Sequence, residues 1–321
     1  MPVTSVHEIH RGGSGYRRAV LSIASLAIAT LGYLGALEIA ARVFFPAHSA
    51  EAARIRSDWT VALQSGVPPS HDRHSVLLVG NSLLQAGVDR KQLKELQQGS
   101  ALSVAIMPIE NTRYLDWYFG VQRLLAEGSH PQFVVLCLPP VHLISLGTDG
   151  VVFARTLMRP ADIMRVKQAA GLDWSTTSLY LMASASAWIG DSTEIRNWIR
   201  AETVPGMAKL APYFWQRADP NFHTEMTEQI LGLRLTQFSA ICARHGCKAL
   251  LLIPPLVRDR GDGAVAAVAL AGRTAGVAVL IPVAPGELGQ GYFRDDFHLN
   301  QRGAEIFTAR LWETLKEITH N

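Results

Sequence analysis

The stretch SVLLVGNSLLQAGVD, Ser75–Asp89, decides how this chain is read. Ser75–Val79 is a short Val/Leu run without polar alternation, the texture of a strand covered on both faces of a parallel sheet. Gly80-Asn81-Ser82 interrupts it, and the chain then resumes in a pattern compatible with a helix. Ser82 is therefore either a nucleophile presented at a strand's carboxyl end or a polar residue in a tight turn.

The same texture recurs at 102–107, 133–139, 249–255 and 277–283, each an apolar run rich in Val, Ile and Leu and bounded by Gly or Pro. Helical patterns lie between them. VDRKQLKELQQG, RYLDWYFGVQRLLAEG and EQILGLRLTQFSAICARHG each stop at a glycine, and GAEIFTARLWETLKEI closes the chain with Ile306, Leu311 and Leu315 in register. Strands alternating with helices predict an α/β domain with a mostly parallel five-stranded sheet and helices on both faces. One segment, about 151–222, holds helical patterns without a strand and is too long for a passive loop. It is read as a helical insertion capping the sheet's edge or its strand ends.

The N-terminal region is of another kind. Ala19–Leu37 is uncharged over 19 residues, about the minimum for a helix crossing a hydrocarbon core. Arg11, Arg17 and Arg18 precede it, so the positive-inside tendency assigns 1–18 to the cytoplasm, 19–41 to a transmembrane anchor and the rest to the outside of a bacterial inner membrane, the periplasmic side. A cleaved signal peptide is the alternative, but the run exceeds a usual signal core and no convincing small-x-small site follows. Residues 42–73 read as a polar, Ala-rich connector with room for one helix, and 74–321 as the α/β domain.

Composition narrows the function classes. Against 30 Lys and Arg stand 27 Asp and Glu, a net charge of +3, with no basic stripe interleaved with aromatics, so nucleic acid is not an expected partner. Cys137, Cys242 and Cys247 are an odd count. CARHGC lacks the further ligands a zinc site needs, which leaves buried thiols or one local disulfide. No metal or organic cofactor is called for.

Ligands of an open parallel sheet bind beyond the carboxyl ends of its strands. The residues to inspect are Ser82, then Pro108, Glu110 and Asn111, then Pro140 and His142, then Arg258 and Asp259, and finally FRDDFHLNQRGAEIF, 293–307. There Asp295 and His298 stand three apart, a spacing that lets a carboxylate orient an imidazole. Such a histidine can take the proton of a serine hydroxyl, otherwise a poor nucleophile.

VLLVGNSLL resembles the first block of the SGNH (GDSL-type) hydrolases, with Gly80-Asn81-Ser82 for the usual Gly-Asp-Ser, and DDFHLNQRG is similar to the last block of that family. The resemblance implies a flavodoxin-like three-layer α/β/α fold with Ser82 as nucleophile, His298 as general base and Asp295 as its orienting partner. It also exposes a departure. The family supplies an oxyanion asparagine after the third strand, where this chain has LPPVHLI. Gly80 and the backbone beside Ser82 are expected to contribute, with Asn111 as a substitute donor; the other reading of Asn111 is a cap on the helix near Tyr114. His142 is within reach of the same site, or structural.

An anchored domain of this kind resembles the membrane-tethered SGNH-like proteins of alginate acetylation and teichoic-acid D-alanylation. The expected function is acyl, above all acetyl, transfer to or from a cell-surface polysaccharide beside a membrane-bound O-acyltransferase. A general carboxylesterase or lipase-like enzyme, and an inactive glycan-binding scaffold, are the alternatives.

Overall fold

Apolar runs without alternation require a sheet covered on both faces, and the computed structural model, which describes residues 13–67, 73–203, 224–257 and 263–320, contains one. Strands β1 (His74–Gly80), β2 (Leu102–Pro108), β3 (Phe133–Cys137), β4 (Lys248–Leu252) and β5 (Ala278–Leu280) form an all-parallel sheet in the order β2-β1-β3-β4-β5. This is the flavodoxin-like order, whose switch point lies between β1 and β3. Gly80 pairs with Pro108 on one side and Cys137 on the other, so the three strands end level beside Ser82.

The two-residue period sorts β1 into two cores. Leu77 and Val79 face α3 (Ala50–Leu63), α6 (Tyr114–Ala126), α13 (Thr224–Arg244) and α14 (Ala264–Ala275). Val76 and Leu78 face α4 (Ser82–Gly87), α5 (Arg90–Leu96) and α15 (Gln301–His320). All four side chains are fully buried. Each such burial contributes about 1.5–3 kcal/mol.

The strand ends differ from the expected 133–139, 249–255 and 277–283. β3 stops two residues before Pro139-Pro140, β4 before Pro254-Pro255 and β5 before Pro282. Proline has no N–H for the ladder, so the apolar run continues past the point where pairing can. The helix α14 has no counterpart in the periodicity reading. AVAAVALAGRTA fills both faces with Ala and Val, and alanine's propensity together with Gly276 in the left-handed region (φ 66) defines it instead.

After α7 (Pro140–Ile144) come α8 (Gly150–Thr156), α9 (Ile163–Ala170), α10 (Trp174–Ala185), α11 (Ala187–Gly190) and α12 (Ser192–Thr203). Their apolar side meets α6. The Phe119 and Phe153 rings are 6.2 Å apart and those of Phe153 and Tyr180 6.1 Å apart. Gly120 makes the approach possible, since a Cβ there would meet Leu157 Cδ2 at 2.8 Å. The remainder of the insertion, 204–222, lies outside the described residues.

Helix α1 (Gly13–Ile39) spans 27 residues, about 40 Å at the helical rise, and exposes Leu21, Ile23, Leu26, Ile28 and Leu31. By length and composition it is the one helix among the described residues suited to cross a membrane; Arg11, on its flank, lies outside them. The chain continues from it through 40–44 into the short helix α2 (Phe45–His48), where Ala41 and Phe45 pack with Ala187 and Ile195. Of the two readings of the cysteines, buried free thiols is the one seen, with Cys247 Sγ donating to the Cys242 carbonyl at 3.2 Å.

Candidate active site

Ser82 opens α4 directly after β1, so its backbone N–H is one of the helix-start donors with no intrahelical acceptor. Asn81 is the cap. Its Oδ1 accepts the Leu83 N–H at 3.0 Å, and because a backbone N–H can only donate, this assigns both ends of the amide. Asn81 Nδ2 therefore donates to His142 Nδ1 at 2.7 Å. His142 must accept there, which places its own proton on Nε2. Asn81 is buried, and the loop after β2 closes around it: Asn81 Nδ2 lies 3.5 Å from the Thr112 carbonyl and the Ile109 N–H donates to the Gly80 carbonyl at 2.9 Å. Thr112 Oγ1 donates to the Ile109 carbonyl at 2.6 Å and accepts from Trp117 Nε1 at 2.9 Å. The loops after β1, β2 and β3 are thus joined immediately behind the serine.

The second half of the site is built by a turn. Phe293 and Leu299 form an antiparallel bridge, and Arg294 N–H donates to the His298 carbonyl at 2.9 Å. Within the turn Asp295 Oδ1 accepts the N–H of Phe297 at 2.8 Å and of His298 at 2.7 Å, an Asx-type arrangement that curls the chain. The other oxygen, Oδ2, then meets His298 Nδ1 at 2.9 Å, and His298 Nε2 lies 3.0 Å from Ser82 Oγ. Partial burial opposes ionisation of Asp295, but the N–H groups of His298 and Phe297 and the His298 ring outweigh it and hold the carboxyl below its usual range. An ionised Asp295 accepts the Nδ1 proton, leaving Nε2 as the acceptor that faces the serine hydroxyl. Asn300 Oδ1 accepts the Gly303 N–H at 3.1 Å, starting α15 just beyond the turn.

Of the residues singled out in the sequence, Ser82, Asp295 and His298 meet in one hydrogen-bonded line, and His142 joins through Asn81. Asn111 sits on the loop after β2 beside Thr112, with a left-handed backbone (φ 59). It is not the cap of α6: Arg113 holds that position, and its N–H donates to Asp116 Oδ2 at 2.7 Å. Arg258 and Asp259 lie outside the described residues. The parts unread in the sequence are the amide of Asn81, Thr112 and Trp117, which show no pattern until three loops converge.

Gly80 is a packing requirement. A Cβ there would sit 2.4 Å from the Cys137 carbonyl oxygen and 3.1 Å from Cys137 Cβ, so no side chain fits between β1 and β3. Gly80→Ala is expected to push the strands apart at the serine, lowering both the melting temperature and the reactivity of Ser82 toward a fluorophosphonate probe. Unchanged melting and labelling would show that the strand ends have slack.

No protein-family profile matches the sequence, and no curated protein matches it. Among solved structures the chain is similar to TesA, at 16% identity and a TM-score of 0.39, over 75% of this chain and 98% of that one. It is also similar to LAE5, an alpha/beta hydrolase enzyme from the metagenome of Lake Arreo, Spain, at 11% identity and a TM-score of 0.38, over 75% and 94% of the two chains. A third is a mutant of Axe2, an acetyl-xylooligosaccharide esterase from Geobacillus, at 11% identity and a TM-score of 0.39, over 76% and 94%. At these values the chemistry has to be read from the side chains themselves.

Proposed function

We propose that the chain is a membrane-anchored serine acyl-transfer enzyme of SGNH type, acting on O-acyl, above all O-acetyl, groups of an extracytoplasmic polysaccharide. The observation that carries this reading is the line Asp295 Oδ2–His298 Nδ1 at 2.9 Å and His298 Nε2–Ser82 Oγ at 3.0 Å. As Ser82 Oγ attacks an ester carbonyl, His298 Nε2 takes the hydroxyl proton and Asp295 stabilises the resulting imidazolium. The tetrahedral intermediate collapses, the ester C–O bond breaks, and His298 returns the proton to the departing alkoxide. Water or a sugar hydroxyl then attacks the acyl-serine by the reverse sequence, giving hydrolysis or transfer.

The oxyanion of that intermediate needs donors, each worth about 10²–10³ in rate. The Ser82 N–H is one. Asn111 and the Nε2–H of His142 are the candidates for the second, and the close approach of β1 to β3 at Gly80 shapes the space between them. The motif resemblance of VLLVGNSLL and DDFHLNQRG supports the family reading, and α1 with Arg17 and Arg18 before its apolar part supports an anchor whose domain lies outside the inner membrane. A membrane-bound O-acyltransferase supplying the acyl group is the partner this reading implies.

The test uses the full chain with p-nitrophenyl acetate. An acetyl adduct on the Ser82 peptide, detected by mass spectrometry, is expected, and an oligosaccharide acceptor should speed its loss while becoming acetylated itself. Loss by water alone would mean an esterase, and the absence of any adduct or turnover would remove the acyl-serine reading.

A further inference from the structure

Helices α10 and α11 form a stretch, WSTTSLYLMASASAWIG, that carries no charged residue. Its inner side packs in the ordinary way, with Thr177, Tyr180, Ala183 and Ala187 buried. Its outer side is the anomaly. Trp174, Leu179, Leu181, Met182 and Trp188 are exposed, Trp174 by 66% and Met182 by 51%. A surface helix normally turns charge toward water. The neighbouring α12, STEIRNWIRAET, contains that charge, so the uncharged surface is specific to α10 and α11.

This surface is fastened to the end of α1. Glu38 accepts from Ser186 Oγ at 2.7 Å, from the Ala187 N–H at 2.8 Å and from the Trp188 N–H at 3.1 Å. Arg42 bonds Glu38 at 2.6 Å and donates to the Ala185 carbonyl at 2.7 Å. Beneath these bonds Ala41, Phe45, Ala187 and Ile195 form a small buried core. The uncharged stretch is therefore held at the level where the long apolar helix ends, not elsewhere on the domain.

We propose that the outward face of α10 and α11 lies in the lipid interface, at the boundary between head groups and acyl chains on the domain's side of the bilayer. The inference rests on the reading of α1 as a membrane anchor. Lipid is the occupant because the face continues from the end of that helix and is apolar, uncharged and bordered by tryptophans, the residues that favour the interface. Cations stand at its rim: Arg42 beside Ala185, and Lys167 Nζ 4.8 Å from the Trp174 ring centre. The domain then has two attachments to the bilayer, one spanning and one lying flat, which fix its orientation relative to the membrane.

The test places the full-length chain in lipid nanodiscs that hold no other protein, with single cysteines at Met182, Trp188, Leu26 or Glu313 labelled by a bimane fluorophore. The native Cys137, Cys242 and Cys247 are buried and do not compete for label. Glu313 belongs to α15, packed on the opposite face of the sheet from the insertion, and serves as the water-exposed control. Lipids brominated near the head group should quench the labels at 182 and 188 most strongly. Lipids brominated near the chain ends should quench the label at 26, and neither should quench the label at 313. Quenching at 26 without quenching at 182 and 188 overturns the inference while the anchor stands, and leaves this face to a partner protein. No quenching at 26 overturns the anchor and the inference together.

Discussion

Ser82→Ala is expected to abolish ester turnover, a fall in kcat of roughly 10⁶-fold, because in serine hydrolases losing the nucleophile costs about as much as losing the whole relay. The effect is on chemistry alone. Ser82 Oγ has its hydrogen bond to His298, whereas α4 is capped by the side chain of Asn81, so alanine at 82 removes no structural bond. The check is kcat on a chromogenic ester beside a thermal melt: turnover should vanish and the melt stay put. A variant that still turns over ester within tenfold of the parent would mean that Ser82 is not the nucleophile, and one that loses turnover yet restores polysaccharide acylation in cells would leave the chain as a binding scaffold.

Asp295→Asn is expected to lower kcat by about 10⁴-fold through the tautomer of His298. Asparagine can still accept the N–H groups of Phe297 and His298 through its oxygen, so the turn survives. Its amide N–H₂ then faces Nδ1, where the carboxylate oxygen Oδ2 now lies 2.9 Å away. Nδ1 must become the acceptor, which moves the ring proton to Nε2 and turns a donor toward a hydroxyl that has to be deprotonated. Steady-state kinetics should show the loss in kcat, with KM little changed since Asp295 makes no contact that binding alone would use. Parental kcat in the Asp295→Asn variant would mean that Asp295 builds the turn and nothing more. Asp295→Ala separates the two roles, because it removes both backbone hydrogen bonds that Asn keeps in neutral form, and should lower the melting temperature by more than Asn does.

What could be read from the chain was local. The β1 run 75–79 is legible because burial on both faces leaves no room for polar alternation, and the Asp295–His298 relation because two side chains three residues apart in a turn meet through nearby dihedrals alone. Helix α14 was illegible because an Ala/Val mixture has no apolar stripe. The strand ends were misjudged because hydrophobicity continues through Pro254 and Pro255 after the last bond to the neighbouring strand, Ile253 N–H to the Leu280 carbonyl at 3.0 Å.

The sequence by itself determined the class of fold, the long uncharged run near the start and the three residues most suited to serine chemistry. Only the tertiary structure decided that Ser82 and His298, 216 positions apart, come within 3.0 Å of one another. It also decided that Asn81 holds His142, and that Glu38 at the end of α1 clamps the start of α11. The reason is one of range. Turns, caps and strand periodicity depend on dihedrals over a few residues, which a sequence displays directly. Which loops converge depends on strand order and on the packing of whole layers, to which every residue of the core contributes and no short stretch is sufficient.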